Sequence, residues 1–552
     1  MKRFLLPAFA IALAVNANAT GFQANMSAGQ QTVAQVADGS KTFSGDLSVY
    51  MDDGSEMGTT EKSKIQVTKE SDGTYTFVLK DFTVDVVYVG DATISKLEGK
   101  EENGVITLEA TDVDAVITNG LNESMGINKV VMSMTASIQG DYMVANISKV
   151  EVPMEGNPLI VSAKFASKVY DSITLLDDFE DEWVKCIPWD SNNNKTAVGK
   201  TPSGWCVSNV YTSLKQFDIA TREDGSNSDY AVKLKNTKFV GQKVPAYMTL
   251  GTSWATAKGT SGSNPDGGSF GGKVFTTRPD AIRFDYLRNT KKGKENATVV
   301  AYLWKGTYTQ KDVPGNTAIS GDPTPCDMTD RDRNILGIPT DQGGDVTKSS
   351  DAECIATINY SITSSTNGEW ETLTIPFEYK TSSTPEKINI IFAATDYFDR
   401  TKIVADNYLC IDNVKYVYYH TLSNIKINGT TIDGFNENRT EYTVKGNMAD
   451  YKNALDCTVK GQGASKEVNW NDAENFVTIT VKGSNYAEDN ESMTVYTIKF
   501  EGTGTGIHYV TSTSTNTANG AIYDLSGRQL KTMQKGINSV RGKDGKMIKV
   551  MK

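Results

Sequence analysis

The feature that most constrains this chain is a period-two alternation of apolar and polar residues, repeated in short stretches that are cut by turn residues. Alternation of that kind puts one side of each stretch in a core and the other in water, which a strand can do and a helix cannot. Between residues 20 and 168 the stretches are 43–51, 64–69, 74–89, 105–110, 128–138, 142–152 and 159–165. Asp53-Gly54, Asp72-Gly73, Asn103-Gly104 and Gln139-Gly140-Asp141 separate several of them. Such residues accept the tight, often left-handed backbone of hairpin turns. Many short strands in sequential order suit a small closed barrel, in which closure removes exposed edges.

The first twenty residues read as an export leader. Lys2 and Arg3 precede an apolar run from Phe4 to Val15, and Ala17-Asn18-Ala19 offers the small residues that a signal peptidase accepts. The run is too short to span a bilayer. No cysteine lies near the expected cleavage before Thr20, which argues against a lipid anchor there, and no later segment reads as a membrane span. The expected location is outside the cytoplasm: cell surface, secreted or periplasmic.

At 552 residues the chain is long enough for three or four domains. Its net charge of −11, with no basic stripe, argues against nucleic acid as a partner. His420 and His508 are its only histidines and have no partner cluster, which removes most Ser-His-Asp, Cys-His and zinc chemistries. There is no phosphate-binding glycine loop and no CxxC pair. Of the six cysteines, Cys186, Cys206, Cys326, Cys354 and Cys410 fall in the middle of the chain and Cys457 beyond it. In an oxidising compartment Cys186–Cys206 is the pair to test first, with buried reduced thiols the alternative.

The stretch "FSGDLSVYMDDGSEMGTTEKSKIQVTKESDGTYTFVLKDFTV" resembles the calycin-like β-barrel family of secreted bacterial proteins, and the resemblance extends over residues 20–170. It implies a barrel that can hold a small apolar ligand. A filled barrel acting as a spacer or docking module is the favoured reading, because no polar constellation points to a ligand.

Six of the seven tryptophans lie between residues 174 and 420, and the change in composition marks a boundary near 170–176. Strand patterns there alternate with long Gly/Pro/Asp-rich loops, as in two antiparallel sheets forming a jelly roll. "VPAYMTLGTSW", "GGSFGGKVFTTRPDAIRFDYLRN", "GEWETLTIPFEYKTSSTPEKINIIFAATDYFD" and "NYLCIDNVKYVY" resemble, in order, the "putative carbohydrate metabolism domain" (PCMD) of bacterial envelope proteins. The resemblance implies a jelly roll with a sugar-related role. Residues 421–502, opening "TLSNIKINGTTIDGFNENRTEYTVKG", are similar to a small cadherin-like β-sandwich used as a spacer. A Thr/Ser/Asn/Gly linker at 503–520 has little to bury. In residues 521–552, Tyr523, Asp524, Leu525, Gly527 and Arg528 resemble the opening of a type IX secretion sorting tail, which departs from the pattern at Asn538-Ser539. The expected fold is therefore all-β: signal peptide 1–19, calycin-like barrel 20–170, jelly roll 174–420, cadherin-like sandwich 421–502 and a short C-terminal β unit.

Sugars are held by flat aromatic faces with amide, carboxylate and guanidinium groups at their hydroxyls. Tyr247, Trp254, Phe270, Arg278, Asp285, Tyr286 and Trp304 have that composition, the last sharing a sheet face with Tyr302. Any one of these aromatics could instead fill the core. Asp178 and Glu180 near the start of the domain, with Asp412 near its end, could hold a structural calcium where the first and last strands meet. Solvated turn acids are the alternative. Glycoside hydrolysis would need two carboxylates across a cleft; Asp285, Glu371, Glu378 and Asp396 are available, and nothing in the sequence pairs them. The leading expectation is a non-catalytic glycan-binding protein, followed by a carboxylate-dependent glycosidase or a structural adhesin.

Overall fold

The computed structural model describes residues 39–84, 87–153, 158–187, 196–211, 214–239, 241–256, 266–290, 295–306, 352–502, 522–524, 528–532, 535, 537–541 and 547–551. The leader, the 503–520 linker, Cys326 and Trp189 lie outside them. The fold is all-β, with only short helical turns such as Leu121–Met125 and Met448–Tyr451 among the described residues. No helix there is long and apolar enough to cross a membrane.

Eight antiparallel strands close the N-terminal barrel. Ser40–Met51 pairs with both Glu56–Lys69 and Leu159–Ser167, and the circle is completed where Val87–Leu97 meets Val105–Thr118 at Ala92↔Ile117. One expectation fails here. The sequence reads 74–89 as a single strand, whereas the structure has two, Tyr75–Val84 and Val87–Leu97, folded back so that Val84 faces Val87. The turn-type residue between the two is a lone Asp85 with valines on both sides and no glycine or asparagine beside it, so the alternation read as unbroken. Phe43, Leu47, Ile65, Phe77, Leu79, Phe82, Met132, Met134 and Phe165 point inward and form one continuous buried cluster. The lumen is filled with the barrel's own side chains.

The jelly roll is built from two sheets facing one another. The first contains Ser172–Asp177, Ala220–Glu223, Ala231–Lys235, Ala281–Asn289, Glu371–Pro376 and Tyr408–Tyr418. The second is centred on Tyr247–Thr249, Lys387–Ala393, Ala297–Lys305 and Glu353–Ile362. Its first and last strands do meet, Ser172–Asp177 lying antiparallel to Tyr408–Tyr418. Phe284, Val299, Leu303, Ile390, Phe392, Leu409 and Ile411 fill the space between the sheets.

The third module, with its own core around Val477, Ile479, Tyr496 and Ile498, touches both others. The Asp141 carboxylate, at a barrel hairpin, accepts from the backbone N–H groups of Thr440 and Glu441 at 3.0–3.1 Å. On the jelly-roll side, Ser172 donates to Asp489 at 2.6 Å and the Arg278 N–H donates to Ser484 Oγ at 3.0 Å. Asp280 sits in this second joint, accepting from the N–H groups of Tyr419 at 2.7 Å and Gln462 at 2.6 Å. Burial pushes its carboxyl up to about 6, against the pull of those two hydrogen bonds; Asp171 adds to the rise and Lys460 opposes it. A raised carboxylate stabilises the folded form fully below its ordinary value of 3.8 and loses that contribution as pH climbs through about 6. The joint is therefore expected to loosen between pH 4 and pH 6, and Asp280→Asn should flatten this dependence. Limited proteolysis across the pH range checks it; equal pH dependence in the two proteins would refute it.

At the C-terminus, Ile522–Tyr523, Gln529–Leu530, Ile537–Arg541 and Met547–Met551 form a small antiparallel sheet, a short β unit as expected.

Candidate functional site

The second sheet has an apolar and polar layer on its outer face as well as its inner one. Tyr247, Tyr302, Trp304, Ile391 and Ala393 form a separate buried cluster there, with Tyr397 and Phe398 packed against it. Asn389 lies at the centre of its polar part, with its amide nitrogen donating to Tyr302 Oη at 2.9 Å and Ser269 Oγ at 3.0 Å. Its carbonyl accepts from Thr249 Oγ1 at 2.8 Å and the Gly251 N–H at 2.9 Å. Tyr247 Oη donates to the Gly268 carbonyl at 2.8 Å. Its partner belongs to Asp266–Phe270, which pairs as a hairpin with Thr252–Thr256. The hairpin puts Trp254 opposite Gly268 and Thr252 opposite Phe270; the side chains of Trp254 and Phe270 lie outside the description.

This corrects the expected aromatic sugar site. Tyr247 and Trp304 do come together, but as core: Trp304 is 1 % exposed and Tyr247 5 %. Arg278 is buried at the joint with the third module, stacked 4.1 Å from the Tyr379 ring centre and donating to the Thr381 and Ser383 carbonyls. Tyr286 faces the inter-sheet core and donates to Glu371 at 2.6 Å. Burial, followed by that carboxylate, pushes its phenol up to about 12. The physical reason is common to all four. Each lies where two layers must close, so its flat face is spent on protein.

Asp285 differs. It lies on the outer face of the first sheet, half-buried, accepting from Thr372 Oγ1 at 2.6 Å and Asn413 Nδ2 at 3.1 Å. Along the same face, Lys233 pairs with Glu223 at 2.9 Å and stands 4.6 Å from the Tyr408 ring centre. Arg283, Leu287 and Tyr408 are half-buried, and Thr221, Glu223 and Thr372 exposed. One jelly-roll face is thus covered and the other open.

The four acids considered for hydrolysis do not converge. Asp285 is opposite Thr372 and Glu371 opposite Tyr286, so these two carboxylates emerge on opposite faces of one sheet. Glu378 pairs with Thr357 in the other sheet, and Asp396 accepts from the Phe398 N–H and pairs with Lys402.

The residues expected to bind calcium gather around one loop, residues 224–230. Asp412, wholly buried, accepts from the Ser226 N–H at 2.7 Å, Ser228 Oγ at 2.5 Å and the Asn413 N–H at 2.7 Å. Burial raises its carboxyl, and these hydrogen bonds pull it back. Glu180 accepts from the Tyr230 N–H at 2.8 Å, and Asp178 from the Glu180 N–H at 3.4 Å. Protein donors thus occupy these carboxylates. Among the described residues no three His, Cys, Asp or Glu side chains are placed to hold a metal ion. A Cβ on Gly225 would collide with Ser228 Oγ and come within 2.9 Å of Asp412 Oδ2, so the loop can close over Asp412 only with glycine there.

Cys186 and Cys206 are both free thiols in the structure. Burial, then the neighbouring Cys206, pushes the Cys186 thiol up to about 12, as expected for inert buried sulfur.

Sequence reasoning missed Arg222, Tyr230, Lys233 and Tyr408. A usable signal was present in "EDGSNSDY", a turn-forming run ending in an aromatic next to a strand.

Residues 40–168 match the family model of the calycin-like beta-barrel domain, and the closed eight-stranded barrel is that domain. No curated protein matches the sequence. Among solved structures, the chain is similar to a "putative glycoside hydrolase" of Bacteroides vulgatus at 11 % identity, covering 46 % of this chain and 99 % of that one with a TM-score of 0.26. A "putative glycoside hydrolase" of Bacteroides thetaiotaomicron gives 12 % identity, 52 % and 85 % coverage and a TM-score of 0.26. A "putative sugar binding protein" of the same species gives 10 %, 44 % and 98 %, with a TM-score of 0.20. Likeness of this size leaves the functional reading to the site itself.

Proposed function

We propose that this is an exported, non-catalytic glycan-binding protein whose jelly roll carries the site on the outer face of its first sheet. The observation that supports this reading is the contrast between the two outer faces. The second sheet is roofed and internally hydrogen-bonded. The first sheet offers carboxylate, ammonium and hydroxyl tips beside the half-buried Tyr408 ring, the mixture that reads hydroxyls and the apolar side of a sugar. Separation of Asp285 from Glu371 across the sheet favours binding over hydrolysis. The leader at 1–19 would direct export, and the 521–552 segment would hold the protein at the cell surface.

Screening the full chain against immobilised polysaccharides tests the reading. Binding to at least one glycan, without release of reducing ends, is expected. Paired Asp285→Ala and Tyr408→Ala substitutions should weaken binding and leave the unfolding curve in place. No binding across the screen, or steady release of oligosaccharide, would overturn it.

A further inference from the structure

At the edge of the first sheet, at the end of the hairpin formed by Ala220–Glu223 and Ala231–Lys235, three flat groups meet around the rim from the open face, on the side of Val232 rather than of Lys233 and Glu223. Trp183 is buried, the Arg222 guanidinium stands 5.3 Å from its ring centre, and the Tyr230 ring centre lies 4.1 Å from the same guanidinium. Arg222 also donates to the Asp181 carbonyl, and its Nε is buried with no hydrogen-bond partner. Its position thus rests on the two rings and one carbonyl. Tyr230 is the outermost layer and is 39 % exposed.

We infer that Tyr230 is a stacking platform for one ring of a neutral or amino-bearing sugar, and that its surroundings reject uronic and sulfated sugars. This inference rests on the glycan-binding reading and assigns it a residue and a ligand class. Tyr230 does not have to be ordered on binding. Its N–H is held by Glu180, and the loop before it is pinned by Ser226 and Ser228 on Asp412. A side chain fixed beforehand loses little conformational entropy when a ligand arrives. One ring face is covered by Arg222, leaving the other for the C–H side of a pyranose.

Charge supplies the selectivity. Glu180, Asp181, Glu182, Asp224 and Asp229 are exposed in the two segments that meet here. Against these five carboxylates stand the Arg222 guanidinium beside its two rings and the exposed Lys185, while Lys233 is paired with Glu223. The field over the platform is therefore negative. It repels carboxylate and sulfate substituents at ordinary ionic strength and favours an ammonium, while the carboxylates remain good acceptors for sugar hydroxyls.

The test compares the full chain with Tyr230→Ala and Tyr230→Phe on a neutral, an amino-bearing and a uronic polysaccharide, with an unfolding curve for each protein. Tyr230→Ala is expected to weaken binding to the neutral or amino polymer about tenfold. Tyr230→Phe should retain it and unfold like the parent, while Tyr230→Ala, which uncovers Arg222 at the surface, should lose that affinity yet still unfold in one cooperative transition. Undiminished binding by Tyr230→Ala, or tighter binding of the uronic polymer, would overturn the inference alone. A wild-type chain that binds none of the three overturns the glycan reading beneath it.

Discussion

Trp304→Ala is expected to lower the stability of the jelly roll by about 3–5 kcal/mol, the range for emptying a fully buried large aromatic site. The indole is 1 % exposed and lies 5.2 Å, centre to centre, from Tyr302 in the outer layer of the second sheet. A Cβ on Gly272 would come within 2.7 Å of the indole, which shows how closely the covering chain approaches. Such a site cannot collapse without moving the strand beneath it, so most of the lost contact appears as destabilisation. Denaturant unfolding of the full chain checks this, with Trp304→Phe expected to recover part of the loss. A tryptophan that served a sugar would behave in the opposite way, losing affinity at unchanged stability.

Glu295→Ala is expected to be equally damaging, at about 3–5 kcal/mol, for an electrostatic reason. This carboxylate is 3 % exposed and accepts from Asn236 Nδ2 at 3.0 Å, the Val404 N–H at 2.9 Å and Asn407 Nδ2 at 2.6 Å. Asn236 extends the network, accepting from the Ala246 N–H and donating to the Ala394 carbonyl. Arg288, 1 % exposed, donates to the Glu295 and Ile362 carbonyls; burial pulls its guanidinium down, and the Glu295 charge opposes that. Removing the carboxylate would strand donors and leave a buried cation without its counter-charge. Glu295→Gln should recover only part of the loss, because an amide nitrogen would then face an asparagine donor. Unfolding curves that match the parent for both variants would refute this account.

Neither network was visible in the sequence, and the reason lies in how their members are spaced. Asn236, Glu295 and Asn407 are joined only by the closure of the two sheets, and each alone reads as a loop residue. Asp141 and Thr440 likewise belong to regions that the sequence presents as successive modules, yet they meet across the barrel–sandwich joint. The surroundings of Asp412 were hidden for a different reason. The meeting of first and last strands was legible, but the loop that would satisfy Asp412 lay far away in sequence. Carboxylates that look free along a chain can already be committed in space.

The sequence by itself determined the class of fold. Alternation with turn residues at the breaks requires strands, because only a strand sends neighbouring side chains to opposite sides. The change in composition near 170–176 also marked where the first core gives way to the next. Tertiary structure alone decided which aromatics face protein and which face water. In a two-sheet fold every strand has two apolar-compatible faces, and only the layers stacked on them show which is covered. Trp304 and Tyr230 are both aromatic residues of the jelly roll; one is sealed in the outer layer of the second sheet and the other is exposed beside an arginine.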